Sequence, residues 1–390
     1  MYNVSVSPHI RDKSSTQKIM IDVCIALIPT LAFGVWHFGA NALIVIISSV
    51  VSCVLSELIF ELIYKKPITV FDFSAVVTGL IIALNMPPQV AWWVPAIGGV
   101  FAIVIVKMLF GGIGQNIMNP ALAARCFLLI SFTSRMTDFS TVDGVSSATE
   151  LAQIKAGNTI NLRDAFLGLQ NGCIGEVCTL AILIGFAYLL IRKVISPRIP
   201  LIYMASTVVF VVLFALVKGR EMDFSGMVNF ALGNLLTGGL MSGAVFMATD
   251  YTTSPITKTG QVIYAILIGF LTAIFRVLGS SAEGVSYAII ISNLVVPLIE
   301  KITVPKAFGM RKNHQRFLDD ALFHVQRQLA GALLRRAPAN AVRQAADIRD
   351  LICLYPLALL RDGGRPMVRA FRERTHTFYF MRISHSDAPL

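Results

Sequence analysis

The sequence predicts an all-α, polytopic membrane protein with about ten transmembrane helices. Hydrophobic residues make up 55% of the 390 residues and charged residues only 14%, which is beyond the range of an ordinary soluble domain. Several apolar runs reach the roughly 20 residues that a helix needs to cross a bilayer core of about 30 Å. The runs lack the alternation of strands, and helices satisfy every backbone polar group within lipid.

Ten apolar runs follow one another along the chain, and several of them end at clear signals. The second run ends at Lys65–Lys66, the third at Pro87–Pro88 and the sixth at Arg192–Lys193. Proline breaks a helix, and clustered positive charge marks the edge of a membrane. The predicted helices cover residues 19–38, 42–64, 72–85, 91–110, 118–132, 177–191, 201–217, 227–249, 261–278 and 285–302.

The first apolar run follows Arg11, Lys13 and Lys18, an arrangement that signal peptides share. The run is longer than the apolar core of a signal peptide, and no convincing cleavage site follows it. We therefore interpret it as a transmembrane helix that stays in the protein.

Loop charges predict the orientation of the chain, because cytoplasmic loops carry an excess of Lys and Arg. With the N-terminus inside, the basic residues of the inner loops are Arg11, Lys13, Lys18, Lys65, Lys66, Arg192, Lys193, Arg198, Lys258, Lys301, Lys306, Arg311 and Lys312. The opposite loops carry only Arg135, Lys155, Arg163, Lys218 and Arg220. This bias places both ends of the membrane domain, residues 1–312, in the cytoplasm and loop 133–176 outside.

A weak internal repeat relates helices three to five to helices eight to ten. Thr78-Gly79 recurs as Thr237-Gly238, and the segment from Lys107 to Gly111 recurs as Arg276 to Gly279. The charge pattern makes the two copies enter from opposite sides, and inverted repeats are common in transport folds. The alternative is that Gly and Pro are simply frequent in membrane helices.

Carboxylates within or beside the apolar runs are the next signal, because charge in a membrane is costly and marks ion paths, proton relays or packed ion pairs. They are Asp22, Glu57, Glu61, Asp72 and Asp250. Glu57 and Asp250 are the best candidates for an ion path. Asp22 is a further candidate, but a local pair with Lys18 explains it equally well. Structural pairing of Glu57, and capping of a broken helix by Asp250, remain the alternatives.

The long polar segment, residues 133–176, contains a stretch that resembles a motif for covalent attachment. Residues 143–149 have the form D-x-x-[ST]-[GS]-A-T, in which Asp143, Ser146, Ser147 and Ala148 precede Thr149. Small neighbours let a modifying enzyme reach the threonine hydroxyl. The same letters allow a capping box from Ser147 to Glu150. The six cysteines form no CxxC pair and no Cys/His spacing, so no metal site is expected from this chain alone.

Three ordered motifs resemble one family. Residues 111–125, which read GGIGQNIMNPALAAR, are typical of the D subunit of the Rnf complex and of the B subunit of the sodium-pumping NADH:quinone reductase. Residues 246–250 and the ending at residues 293–309 match the same family. One departure is Ser147, where the family usually has glycine.

The resemblance implies a fold similar to urea and ammonium transporters and FMN esterified through its phosphate to Thr149. It implies that Asn116 and Asn119 help to hold a second, non-covalent riboflavin, for which helix capping is the alternative. Arg125, at the end of the signature, is counted among the cofactor-binding residues. The chain itself is expected to supply no catalytic residue, since the electron chemistry belongs to the flavin.

The implied function is electron transfer between ferredoxin and NAD, coupled to sodium or proton translocation across the bacterial cytoplasmic (inner) membrane. The implied partners are Rnf subunits A, B, C, E and G and membrane lipid, with no nucleic acid. The alternative is a solute channel or transporter of the urea or ammonium type without a redox role. Residues 313–390 hold twelve arginines and no lysine, and we interpret them as a C-terminal extension foreign to the family.

Overall fold

The computed structural model describes residues 15–139, 149–219, 223–279 and 284–305, and within them the regular structure is entirely helical. The helices are α1 (Thr16–Phe38), α2 (Ala40–Ile63), α3 (Ser74–Leu84), α4 (Trp93–Met108), α5 (Pro120–Ser131), α6 (Thr133–Met136), α7 (Glu150–Ala156), α8 (Leu162–Leu167), α9 (Thr179–Ile191), α10 (Arg198–Val217), α11 (Phe224–Leu236), α12 (Leu240–Met247), α13 (Lys258–Leu278) and α14 (Val285–Thr303). A 3₁₀ turn, Val70–Asp72, precedes α3.

Five of these helices, α1, α2, α10, α13 and α14, are long and apolar enough to cross a membrane, and the bent pair of α11 and α12 makes a sixth candidate. Many large apolar side chains on their outer faces are exposed, as lipid-facing residues are. The chain is therefore a multi-pass membrane protein. Four further apolar helices, α3, α4, α5 and α9, are shorter, so ten complete crossings stay a prediction.

The predicted eighth helix, residues 227–249, is wrong as a single element. The chain bends by 55° between α11 and α12. Gly238 and Gly239 at the bend have φ angles of 67° and 68°, in the left-handed region that glycine adopts without steric cost. The other nine predicted helices are present with shifted ends, and Pro87–Pro88 lies between α3 and α4 as predicted.

The two predicted repeats share an unusual local geometry. The second half of α4 and the last turn of α13 are π-helical. Bonds to the fifth preceding residue, Leu109 N–H to Val104 O (3.1 Å) and Gly279 N–H to Ile274 O (3.1 Å), continue each segment. Lys107 and Arg276, which the sequence paired as repeat equivalents, both lie in these segments. This match supports the repeat, because π turns are rare and cluster at functional sites.

The packing also follows the repeat. α2 packs on α3 and α4, and α10 packs on α11 and α13, while α1 meets α9 and α5 meets α14. Gly79 allows α3 to approach α2 closely, because a Cβ there would lie 2.8 Å from the Val50 Cα. The bundle ends at Val304. The Arg-rich residues 313–390 lie outside the described residues, as do Arg11 and Lys13 at the other end.

Candidate functional site

A cavity with a mostly apolar wall opens at the end of the bundle where α1 begins and α9 ends. Its volume is about 100 Å³, which is below the roughly 300–1,000 Å³ range of ligand pockets. Polar side chains on its otherwise apolar wall include Ser74, Thr78, Lys107, Asn116, Asn119, Asp250 and Thr252. The structure therefore brings three residues chosen from the sequence, Asn116, Asn119 and Asp250, into one place.

The two asparagines play different parts on the cavity wall. Asn119 is the N-cap of α5, and its Oδ1 accepts hydrogen bonds from Ala121 N (3.0 Å) and Leu122 N (3.3 Å). The capping alternative is thus correct for Asn119. The Oδ1 of Asn116 is buried and has no hydrogen-bond partner. An orphaned acceptor is costly, so Asn116 is the group on this wall that a ligand N–H would satisfy.

Asp250 begins the irregular segment between α12 and α13. Its carboxylate accepts hydrogen bonds from Thr252 N (3.3 Å), Thr252 Oγ1 (3.1 Å) and Thr253 Oγ1 (3.2 Å). These bonds hold the turn that ends the broken helix, which fits the capping alternative. Because Asp250 also lines the cavity, its charge acts on whatever enters there.

Glu57 lies directly behind the cavity wall in a packed ion pair. Lys107 Nζ donates to Glu57 Oε1 (2.7 Å) and Oε2 (2.9 Å) and to Ser74 Oγ (2.7 Å). The side chains are 3% and 1% exposed, so solvent screening is slight and each charge depends on the other. Sequence reasoning singled out Lys107 only as a repeat marker. The ion pair with Glu57 was missed because the two residues are far apart in the sequence. The lysine itself could have been noticed, because a charge within an apolar run marks a functional site or a packed ion pair.

Asp22 and Arg125 are not among the residues that line this cavity. Asp22 accepts hydrogen bonds from Tyr188 Oη (2.9 Å) and from the Arg192 guanidinium (3.2 Å) on α9. Arg125 is buried and donates to Asn85 Oδ1 (2.5 Å) and weakly to Cys173 Sγ. Both charges therefore join distant segments of the bundle, α1 to α9 and α5 to α3.

Thr149 lies at the opposite end of the bundle and is the one residue of its motif's named positions that belongs to the described part of the chain. Asp143, Ser146, Ser147 and Ala148 lie outside the described residues. Thr149 is itself the N-cap of α7, accepting from Ala152 N (3.4 Å). A capping box led by Ser147 is therefore not how α7 begins. The hydroxyl is half-buried in a narrow cleft.

Two carboxyl groups, Glu150 and Glu176, lie in the same cleft. Burial raises the pKa of Glu150 above its ordinary value, and the neighbouring Glu176 carboxylate adds to the shift, while backbone N–H groups oppose it.

A second cavity adjoins the Thr149 cleft, because Leu151 lines both. Its volume is about 340 Å³, and its described wall carries Lys155, Lys218 and Arg276 and no carboxylate. Burial lowers the pKa of Lys155, and the nearby Lys218 ammonium lowers it further. Sequence reasoning missed this cavity, since its basic groups come from three separate elements.

Arg276 joins this second cavity to the bend in the bundle. Its guanidinium donates to the carbonyl oxygens of Thr237 (3.0 Å), Gly238 (2.9 Å) and Asn234. These carbonyls are released where α11 ends, so Arg276 replaces the hydrogen bonds that a continuous helix would supply.

Comparison with known proteins places the chain in a family. The model of the NQR2, RnfD, RnfE family matches residues 3–309, which is most of the chain. The chain belongs to this family. The match covers the whole described bundle, including both cavities, and ends close to the start of the Arg-rich segment.

Similar family members are named as parts of redox-driven ion translocators. The chain is 46% identical over 317 residues to the D subunit of the Na(+)-translocating ferredoxin:NAD(+) oxidoreductase complex of Acetobacterium woodii, covering 79% of this chain and 96% of that protein. It is 39% identical to the D subunit of the proton-translocating ferredoxin:NAD(+) oxidoreductase complex of Clostridium ljungdahlii, covering 80% and 97%. It is 34% identical to the D subunit of the ion-translocating oxidoreductase complex of Stutzerimonas stutzeri, covering 76% and 93%.

The buried ion pair gives a direct stability prediction for this family member. Lys107→Met should lower the free energy of unfolding by about 3–5 kcal/mol, because Glu57 keeps a buried charge without a counter-ion. Thermal unfolding of the detergent-purified protein measures the effect. The double variant Lys107→Met/Glu57→Gln should regain most of the loss, whereas Lys258→Met, at an exposed lysine at the same end, should change stability by less than about 0.5 kcal/mol. Equal losses in the single and double variants would contradict the prediction.

Proposed function

We propose that this chain is the flavin-carrying, electron-transferring D subunit of an Rnf complex in a bacterial cytoplasmic membrane. The complex transfers electrons between ferredoxin and NAD and couples them to sodium or proton translocation, and its other subunits are A, B, C, E and G. The strongest support beyond the family match is the position of Thr149, whose cleft adjoins a cavity with three cationic side chains. A simple solute channel needs neither feature.

Thr149 is the proposed attachment point of FMN through a phosphoester. FMN, when bound, supplies reversible uptake and release of electrons. The Thr149 hydroxyl fits this role because Thr149 is half-buried and its hydrogen bond from Ala152 N within the described residues is long, at 3.4 Å. α7 begins directly after Thr149 and carries Lys155, which lines the adjoining cavity. There Lys155, Lys218 and Arg276 stabilise the negative charge that reduction adds, since electrostatic interactions strengthen away from water.

The cavity near α1 is the proposed site of a second, non-covalent flavin, riboflavin. Its mostly apolar wall and its few convergent polar groups suit a heteroaromatic ring. The orphaned Oδ1 of Asn116 accepts a hydrogen bond from the ring edge. The Oδ1 of Asn119 caps α5, so the role of Asn119 is to stabilise this part of the cavity wall.

The same cavity is the proposed centre of the ion path, because Asp250 and Lys107 line it and Glu57 lies behind Lys107. A cation that enters meets the Asp250 carboxylate and the hydroxyl groups of Thr78 and Thr252. Addition of electrons nearby alters the field at these groups, which couples the redox change to ion binding.

Removal of the Thr149 hydroxyl tests the flavin attachment. Thr149→Val should abolish the fluorescence of the denatured polypeptide in a gel, because no oxygen remains to form the phosphoester. Thr137→Val, at an exposed threonine of the same predicted outer segment, is the matched control and should stay fluorescent. Fluorescence that persists in Thr149→Val, or an unmodified wild-type peptide mass, would rule out the attachment and favour the channel alternative.

Impermeant labelling tests the proposed orientation. Asn158 is exposed just after α7, so Asn158→Cys should react with an impermeant maleimide in intact cells. Cys173 and Cys178 are buried but are removed to keep the background low. Lys66→Cys, at the exposed end of α2, should react only after lysis. The reverse pattern would overturn the topology.

Asp250→Asn tests the ion path in vesicles that contain the whole complex. The amide keeps the size of the side chain and removes its charge, so ion uptake should fall while flavin content and assembly remain normal. Glu57 requires the paired variant Glu57→Gln/Lys107→Met, which leaves no lone buried charge. Unchanged uptake in both, at wild-type expression, would leave this subunit as an electron carrier only.

A further inference from the structure

Glu61 is a buried carboxylate with half of its hydrogen-bonding capacity unused. It lies one helical turn after Glu57 on α2, and the residue is only 1% exposed. Its Oε1 accepts from Thr69 N (3.0 Å) and from Thr69 Oγ1. Its Oε2 is buried and has no hydrogen-bond partner. An ionised oxygen without a partner in such a place is strongly unfavourable.

Thr69 connects Glu61 to the ion pair behind the cavity. The same Thr69 hydroxyl lies 3.3 Å from Glu57 Oε1, and Glu57 in turn accepts from Lys107 Nζ. Lys107 and Ser74 form part of the cavity wall. A continuous chain of polar contacts therefore runs from Glu61 to the cavity.

The charges of this cluster do not balance when both carboxyl groups are ionised. Glu57 and Glu61 contribute two negative charges against the single positive charge of Lys107. Two of the described helices that pack on α2 are α3 and α4, and Lys107 is the one charged residue that they carry. The 3₁₀ turn ends at the half-buried Asp72, and α1 carries Lys18 and Asp22, of which Asp22 pairs with Arg192. Beyond the end of α2 lie Lys65 and Lys66, and the Lys66 ammonium lies over the Phe60 ring.

We propose that Glu61 carries a proton on Oε1, the oxygen that contacts the Thr69 hydroxyl, so that Glu57, Glu61, Thr69 and Lys107 form a neutral proton-binding site beside the cavity. The proton cancels the excess negative charge, and the partnerless Oε2 is then a neutral carbonyl oxygen, which costs less to bury than an ionised one. A metal cation needs several free oxygen ligands, and the other carboxylate oxygens here already accept hydrogen bonds.

The proton can reach the cavity through the same contacts. The Thr69 hydroxyl gives its hydrogen to one carboxylate as it accepts one from the other, so a proton moves from Glu61 to Glu57 with no net change at Thr69. Protonation of Glu57 weakens its hold on Lys107, whose ammonium faces the cavity. Binding at Glu61 does not depend on either flavin, and only its use in transport rests on the proposed function.

Infrared spectroscopy of the whole complex tests the site without turnover. The wild-type spectrum minus the Glu61→Gln spectrum, both recorded at neutral pH, should contain a protonated carboxyl C=O band that moves in D₂O. Glu300→Gln is the matched control, because Glu300 is a partly exposed carboxylate at the same end that already accepts from Ile256 N (3.2 Å); this variant should keep the band. A difference spectrum without the band would show that Glu61 is ionised, and a band that sodium removes would make the occupant a cation. Either result overturns the proposal.

Discussion

The contact between Lys107 and Glu57 neutralises two charges that the interior of the bundle would not tolerate singly. The same requirement explains Arg276, which covers the carbonyl oxygens released at the bend after α11. Hydrocarbon offers no hydrogen bonds, so each polar group must find its partner within the protein. Lys107 and Arg276 thus lie where a charge or a broken helix needs a partner, and each lines one of the two cavities.

The sequence was sufficient for the features that depend on neighbouring residues. Apolar length located nine of the helices, and Pro87–Pro88 located the end of the third. The bend at Gly238 was missed because the apolar run continues through it, and hydropathy does not record a left-handed φ angle. The repeat was visible as paired letters, but its shared π geometry was not, since no residue type specifies a bond to the fifth preceding residue.

The candidate sites, like the helices, were predictable only where neighbouring residues carry the information. Thr149, Asn116 and Asp250 were recognisable from motifs, but their surroundings depend on segments that meet only after folding. Glu57 and Lys107 are joined across α2 and α4, and the basic cavity collects Lys155, Lys218 and Arg276 from three elements. The two cavities lie at opposite ends of α10, which begins just after Ile195 in one wall and ends just before Lys218 in the other. About 30 Å of helix separates them, so the proposed flavins face opposite surfaces of the membrane.

The π segment of α4 sets the direction in which its last residues point. Each residue of a helix turns the next by about 100°, so loss of one position between Phe101 and Lys107 would swing the ammonium away from α2. The number of residues between Phe101 and Lys107 is therefore fixed by the position that the ammonium must reach beside Glu57.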